Sequence, residues 1–502
     1  MIEEGAGDPR HTDPRGLLVT ALQGMGRAAL PIVAALYGTG ALAAGLIFAV
    51  PAILAVFLAS IGLAWLAWHR RTYVTGAEDI RLEQGILSRS ARTVPYERIQ
   101  DVSLEQKLLP RLLGLAEVKF ETGAGGKDEL ALAYLDLKES ERLRELVRAR
   151  KQGVGTLEAE SGPVEDVPDR PPLFAMDEKR LLTFGLFEFS LVIFAVLFGA
   201  ISQFDFLFPF DIWDWETWQE FLNGREEQIA GIGRATQLVS LTAAIVAVIL
   251  LGVLTGIVRT FAREYGFRLD RTDKGFRRRR GLFNKTDVVL PAHRVQAARI
   301  ETGLIRRRFG WHSLKFVSLA QDSSGSGDHP VAPFARWDEL EPIAKEAGIA
   351  LPARDQEWQR PAAGPWLAET IVLSTLFLGV AAVAGIAAQS LLPLAIAGVP
   401  IGATALANYI AWRRHRHAID DRQLFVRQGT LAPKLAIAPQ VKLQSVEIAQ
   451  GPLARWRGYA TLNLGLAGGT LSIPGLPLGK ARALRSDIVE KIAAVDFSDL
   501  PR

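Results

Sequence analysis

The sequence predicts a membrane protein in which apolar helical hairpins alternate with three mostly-β polar domains, each closed by a C-terminal helix. Three observations carry that expectation. Uncharged or nearly uncharged apolar runs recur in pairs along the chain. The nine-residue outline VPYERIQDV at Val94–Val102 returns as LPAHRVQAA at Leu290–Ala298 and as APQVKLQSV at Ala438–Val446. Composition agrees with both: of 502 residues 49% are apolar, the net charge is only +4, and the mean hydropathy is positive at +0.15.

The apolar runs come first because they set the membrane frame. Ala28–Val50 and Pro51–Trp68 form one pair, Leu181–Ile201 and Leu238–Val258 a second, and Leu367–Ala388 and Leu391–Trp412 a third. Each has about the ~20 residues a helix needs to cross a ~30 Å hydrocarbon layer, so six spans are expected. They divide the chain into an N-terminus (1–27), a first hairpin (28–68), a polar domain (72–150) and a linker (151–178). A transmembrane pair (181–258) around an external loop (202–237), a second domain (264–349) and a linker (350–366) follow. A third hairpin (367–412) and a third domain (417–497) complete the order. Both linkers are rich in proline and charge.

Orientation follows from the cations. Arg70 and Arg71, Lys179 and Arg180, Arg259 and Arg263, and Arg413, Arg414 and Arg416 flank span ends, whereas the loop 202–237 is acidic. Lysine and arginine collars mark the cytoplasmic side, which places both termini and all three domains there. Trp213, Trp215 and Trp218 in the external loop suit a segment lying at the membrane interface, or a ligand site.

The polar domains are copies of one pattern. With Pro95, Pro291 and Pro439 in register, a glycine stands ten residues before each (Gly85, Gly281, Gly429) and another nineteen after (Gly114, Gly310, Gly458). Between them recur a cation (Arg98, Arg294, Lys442), a glutamine (Gln100, Gln296, Gln444) and an arginine (Arg111, Arg307, Arg455). Such constancy marks an internal repeat. Around it the alternation of AEDIRLEQGILSRSARTVP reads as a hairpin, the proline as a strand end, and KLLPRLLG, LIRRRFG and LARWRG as short helical turns stopped by glycine. Helical patterns KESERLRELVRAR, RWDELEPIAKEAG and GKARALRSDIVEKIAAV close the units. A small bent sheet capped by one helix satisfies this order.

A glycine-aliphatic strand, then proline-x-x-Arg-aliphatic-Gln, then LLxRxxGL, three times over, resembles the bacterial pleckstrin-homology-like (PH-like) membrane proteins of the YdbS and YdbT type. The tripled order matches the longer, YdbT-like kind over nearly the whole chain. The resemblance implies three PH-like β-barrels with C-terminal capping helices, tied to the bacterial cytoplasmic membrane. It also implies a smaller single-domain PH-like membrane partner and a role in envelope stress or resistance to antimicrobial peptides. It supplies no catalytic residues and no cofactor. Lys442 departs from the arginine of the pattern, in the repeat that diverges most.

Candidate chemistry is confined to cations and one carboxylate. Arg277, Arg278, Arg279 and Arg280 form an unbroken run and Arg306, Arg307 and Arg308 a second cluster. Near an anionic leaflet each such cation contributes on the order of 1 kcal/mol of attraction, so these are the candidates for anionic-lipid or partner binding. Fixing topology and solubilising a sheet edge is the competing role. The signature residues Arg98, Gln100, Arg111, Arg294, Gln296, Lys442, Gln444 and Arg455 read as structural, tying the proline turn to neighbouring carbonyls. GAGGK at Gly123–Lys127 lacks P-loop spacing, and His415 and His417 flanking Arg416 read as a membrane-flanking collar. No metal spacing or nucleophile triad stands out, the absence of cysteine excludes disulfides and thiolate sites, and the modest net charge gives no basis for nucleic-acid binding. Glu188, inside the third run, is an intramembrane carboxylate. It keeps a transporter built on six helices as the alternative to a binding scaffold.

Overall fold

The structure is a computed structural model that describes residues 8–24, 46–85, 88–122, 130–151, 171–189, 234–272, 275–318 and 327–494. The chain divides into two compact units, one of Met1–Phe174, Arg268–Arg279 and Lys285–Arg502, the other of Ala175–Phe267 and Arg280–Asn284. The first run up to residue 45, the second half of the third run, the GAGGK segment and the tryptophan-rich loop lie outside the described residues.

Every repeat folds as two three-strand meanders. The first repeat has β1 (Thr72–Thr75), β2 (Asp79–Gln84) and β3 (Ser90–Pro95), then β4 (Ile99–Gln106), β5 (Leu115–Thr122) and β6 (Leu130–Asp136). The second has β7 (Arg268–Thr272), β8 (Gly275–Arg280), β9 (Lys285–Pro291), β10 (Ala297–Glu301), β11 (His312–Val317) and β12 (Asp328–Ala335). The third has β13 (Arg416–Ile419), β14 (Gln423–Gln428), β15 (Lys434–Pro439), β16 (Leu443–Ala449), β17 (Tyr459–Leu466) and β18 (Gly469–Pro477). The expected capping helices are Leu137–Lys151, Trp337–Glu346 and Leu478–Ala493.

The recurring nine residues are the crossing between the two meanders. Each proline ends a strand at φ near −61° and opens a single 3₁₀ turn: Tyr96–Arg98, Ala292–Arg294 and Gln440–Lys442. Proline suits that place because its ring fixes φ and it has no amide hydrogen to give the ladder. The fixed glycines have the same kind of cause. Gly85, Gly281 and Gly429 turn the second hairpin at φ +110° to +124°, and Gly114, Gly310 and Gly458 stop the short helices at φ +70° to +72°. Side chains disfavour both conformations.

The sheets differ from the expected barrels: they are open, and two of them run from one repeat into the next. Seven strands follow the order β6-β5-β4-β9-β8-β7 and then the short Phe174–Ala175, and six more the order β12-β11-β10-β15-β14-β13. Thus β4 of the first repeat pairs antiparallel with β9 of the second, and β10 of the second with β15 of the third. The strand edge that a closed barrel would satisfy internally is satisfied by the neighbouring repeat.

Packing follows the alternation of the strands. In the first repeat Ile80, Leu82, Val94, Ile99, Val118 and Phe120 form a core against Leu143 and Val147 of the capping helix, one turn apart on its inner face. Full burial of one such side chain contributes about 1.5–3 kcal/mol. The third-repeat core contains Leu462, Leu464, Ile473, Ala481 and Ile488 together with Ala297 and Val317 of the second repeat, so the sheet junction is also a core junction.

Among the described residues three helices are long and apolar enough to cross a membrane: Ile245–Glu264, Gly364–Ala387 and Leu392–Arg414. Only 11% and 6% of the apolar windows of the last two are buried, as expected of helices facing lipid. They form the third hairpin close to its expected bounds, clamped by Asn408 Nδ2 donating to Thr370 Oγ1 at 3.1 Å. Two boundaries differ from expectation. Residues 50 and 51 lie inside one continuous helix, Leu46–His69, which accommodates Pro51 rather than turning there.

The third run also departs from a single span. Its helix covers Glu178–Phe187, starts at Asp177, whose carboxylate accepts from the Arg180 amide at 3.0 Å, and ends at Glu188. In that unit it packs on Arg234–Glu264 through small residues: a Cβ on Gly256 would stand 2.0 Å from the Glu188 carbonyl oxygen, and one on Gly185 2.7 Å from Ile257 Cα. Backbones approach closely only where no side chain intervenes.

Candidate functional site

The tetra-arginine run is engaged inside the protein. Arg277 Nη2 lies 2.6 Å from Asp287 Oδ2, and Arg144 of the first-repeat capping helix lies 3.2 Å from the same oxygen. Burial works against the Asp287 carboxylate, but the two guanidiniums outweigh it and hold the acid below its ordinary range. Arg278 is buried and donates to the Pro330 carbonyl at 3.2 Å, Arg279 pairs with Asp270 at 2.8 Å, and Arg280 pairs with the buried Glu264 at 3.0 Å. Consecutive residues of a strand alternate faces, so the run finds acceptors on both sides of the sheet.

The signature residues divide by place. Arg294 is buried at the end of its 3₁₀ turn, and Gln296 Nε2 donates to the Arg294 carbonyl at 3.1 Å. Lys442 Nζ crosses to the second repeat and donates to the His293 carbonyl at 2.8 Å. Arg98 and Gln444 are exposed, and Gln100 lies on β4. Arg111, Arg307 and Arg455 stand on the short helical turns. His415 and His417 are both buried, which corrects the collar reading: burial pushes both imidazoles down to about 4.

Of the second cluster, Arg307 and Arg308 are exposed and burial lowers Arg306 below the ordinary arginine range. Arg307 shares one groove, of about 670 Å³, with Arg360, Arg413, Arg414, Arg416 and Arg427. Five elements bring these six together: the second-repeat turn, the segment before the third hairpin, the C-terminal end of Leu392–Arg414, and strands β13 and β14. Among the described residues none of the six is ion-paired to a carboxylate. Arg414 donates to the Thr430 carbonyl and Arg427 stacks 4.5 Å from the Trp358 ring centroid. Burial and then the Arg416 charge push Arg427 below its ordinary range. Six like charges around one concavity raise the local potential and favour an anion there.

The groove lies at the end of the third hairpin where Leu392–Arg414 passes from apolar residues to arginine. Leu406, Tyr409 and Ile410 form its helix side, and Tyr409 belongs to an aromatic cluster with Trp366 and Trp412, ring centroids 5.7–6.1 Å apart. Trp412 Nε1 donates to the Pro361 carbonyl at 3.1 Å. Tryptophan and tyrosine collect at the headgroup level of a bilayer. The short turns repeat that chemistry: Leu108 and Leu112, Leu304, Ile305 and Phe309, and Trp456 are exposed apolar side chains beside Arg111, Arg307 and Arg455.

Arg413, Arg414 and Arg416 were visible in the sequence as a topology collar, but Arg360 and Arg427 carried no signal there, because no spacing joins them to the others. Among the described residues no group of three metal-binding side chains occurs.

Comparison with known proteins agrees with this architecture. Residues 28–151, 228–348 and 375–492, more than half of the chain, match the family described as Bacterial PH domain. Each match takes in apolar residues ahead of a repeat. The chain is 26% identical over 281 residues to the UPF0699 transmembrane protein YdbT of Bacillus subtilis (strain 168), covering 54% of this chain and 53% of that protein. It is 29% identical over 142 residues to the UPF0699 transmembrane protein YdbS of the same organism, covering 27% of this chain and 89% of that protein. The chain thus spans about half the length of the YdbT relative. No solved structure matches. Three family matches on three structural repeats, each led in by an apolar segment, make this chain a membrane protein of the bacterial PH domain family.

Proposed function

We propose that the protein is a non-enzymatic binding scaffold of the bacterial cytoplasmic membrane whose arginine groove holds the phosphate of an anionic lipid headgroup. One observation carries the reading: six arginines surround a groove beside the aromatic cluster Trp366–Tyr409–Trp412, with no carboxylate pairing among the described residues. The aromatic cluster favours a lipid over a soluble anion, since it sets the groove at headgroup depth. The cation collars at span ends support domains and termini on the cytoplasmic side. A role in envelope stress or peptide resistance rests on the resemblance to YdbT-like proteins. Anionic lipid held at the leaflet surface is the chemistry by which a scaffold would act there.

The test is a thermal-shift titration of the detergent-solubilised full chain with dioctanoyl phosphatidylglycerol, dioctanoyl phosphatidylcholine and inorganic phosphate. The anionic lipid raises the melting temperature in a salt-sensitive way, and Arg307→Gln/Arg360→Gln/Arg413→Gln, all at exposed positions, removes the rise without changing the unliganded melt. Equal shifts with phosphatidylcholine overturn the reading. A shift with phosphate as large as with the anionic lipid replaces it by a soluble-anion site.

A further inference from the structure

The two sheet junctions inside the chain use one register. At the first, Glu105 stands opposite Thr286 and Leu104 opposite Asp287. At the second, Glu301 stands opposite Lys434, Ile300 opposite Leu435, Arg299 opposite Ala436 and Ala298 opposite Ile437. Superposing the repeats on their prolines turns Glu105 into Glu301 and Thr286 into Lys434, so the pairs coincide residue for residue. The contact is heterologous: the fourth strand of one repeat meets the third strand of the next. Such a contact leaves one unused half at each end of the array.

Among the described residues those halves are β3 of the first repeat and β16 of the third, the terminal strands of their sheets. Their surfaces differ from the paired copies as an unused interface should. Ser90, Ala91, Arg92 and Thr93 on β3 are all exposed, whereas of their counterparts on β15 Lys434 is exposed and Leu435, Ala436 and Ile437 are buried. On β16, Ser445 and Glu447 are exposed and Val446 and Ile448 half-buried, whereas their counterparts on β10, Ala297, Arg299, Ala298 and Ile300, are buried except for the half-buried Arg299.

We propose that a second copy of this chain occupies these edges, β16 of one copy adding to β3 of the next in the register already used twice. That register sets Ala449 opposite Ser90, Ile448 opposite Ala91, Glu447 opposite Arg92 and Val446 opposite Thr93. It brings a carboxylate across from a guanidinium and places small or β-branched residues at the other positions, a favourable cross-strand set. The Glu–Lys pairing of the second junction is thereby moved two positions along, since Ala449 stands where Glu301 does. A further contact has its precedent in the chain. Lys442 reaches across its junction to the His293 carbonyl, and on the free edge Arg98, exposed, stands in the place of Lys442. Across the proposed contact the carbonyl in the place of His293 is that of Val441.

The chain has no cysteine, so engineered pairs report the register directly. The full-length protein is reconstituted in lipid vesicles as a mixture of Arg92→Cys and Glu447→Cys chains, and in a second sample as the chain carrying both changes. Mild oxidation gives dimers in the mixture and a ladder of dimers, trimers and higher species in the doubly substituted chain. An Arg92→Cys with Ser445→Cys mixture, two residues out of register, yields at least tenfold less. The charge reversal Glu447→Arg lowers the oligomeric fraction in mass photometry of the detergent-solubilised chain, and adding Arg92→Glu restores it. Three outcomes overturn the proposal. The doubly substituted chain forms only an internal disulfide, which means that one chain closes its own ring. Each single-cysteine chain links to itself as readily as to the other, which means a symmetric contact. The chain stays monomeric and uncrosslinked at every lipid ratio, which leaves the edges to a different partner such as a single-domain relative.

Discussion

Lys434 of the third repeat stands directly across a strand pair from Glu301 of the second, its Nζ 3.3 Å from Oε1. Glu301 also receives Lys315 at 2.8 Å, as Glu105 receives Lys119 at 2.7 Å in the first repeat. At the first junction a threonine replaces the lysine and the register is unchanged. Backbone pairing and the shared core therefore define the junction, and the ion pair adds to it.

Removal of Lys434 should accordingly cost little. Its side chain is half exposed, and exposed pairs contribute ~0–1 kcal/mol, so Lys434→Ala lowers stability by less than about 1 kcal/mol. Asp287→Ala strands two guanidiniums, that of Arg144 only 10% exposed, and should cost about 3–5 kcal/mol. Chemical denaturation of the detergent-solubilised chain separates the two, and equal effects would mean that the ion pair rather than the backbone holds the junction.

Two glycines of the repeat should respond differently to a methyl group. At Gly458, φ is +72° and nothing lies within 4 Å of an added Cβ, so Gly458→Ala costs only the backbone conformation, about 1 kcal/mol. At Gly429, φ is +113° and the Cβ would stand 2.3 Å from the Ala432 carbonyl oxygen. Gly429→Ala therefore loses more, by ~2 kcal/mol or greater, because the hairpin must open. Melting temperatures of the two variants give the comparison, with Gly429→Ala lower.

Acid should loosen the third repeat. Burial first, then the charges of His415 and Lys480, push the His417 imidazole down to about 4, and its ring nitrogens have no hydrogen-bond partner among the described residues. The folded state therefore holds it neutral while the unfolded chain binds a proton below pH ~6.5, so stability present above pH ~6.5 falls as pH drops toward 4. Melting temperature measured between pH 7.5 and 4.5 should decline through that window. His417→Leu should flatten the decline in part, His415 supplying the rest; a slope identical to the parent's would contradict the neutral, buried imidazole.

Trp456 is 78% exposed on its short turn and carries no core packing. Trp456→Ala should change stability by no more than about 0.5 kcal/mol. In vesicles it should remove a component of tryptophan fluorescence that brominated lipid quenches, and undiminished quenching would show that this turn stands clear of the bilayer.

The sequence by itself determined the parts and their order: apolar helices by length and lack of charge, and three copies of one strand–proline–turn–strand unit by spacing alone. Those features are local, because a helix spans lipid through its own hydrogen bonds, and a proline or left-handed glycine fixes its own backbone. Only the tertiary structure decided who pairs with whom. Whether β4 closes on its own repeat or crosses to β9 depends on competing edges with similar alternation, and no single-strand pattern distinguishes them. The arginines show the same limit. Arg277–Arg280 are the more prominent run in sequence, yet Asp287 pairs with Arg277, Asp270 with Arg279 and Glu264 with Arg280. Arg307, Arg360 and Arg427, scattered over 121 residues, share a groove because the second and third repeats share a sheet.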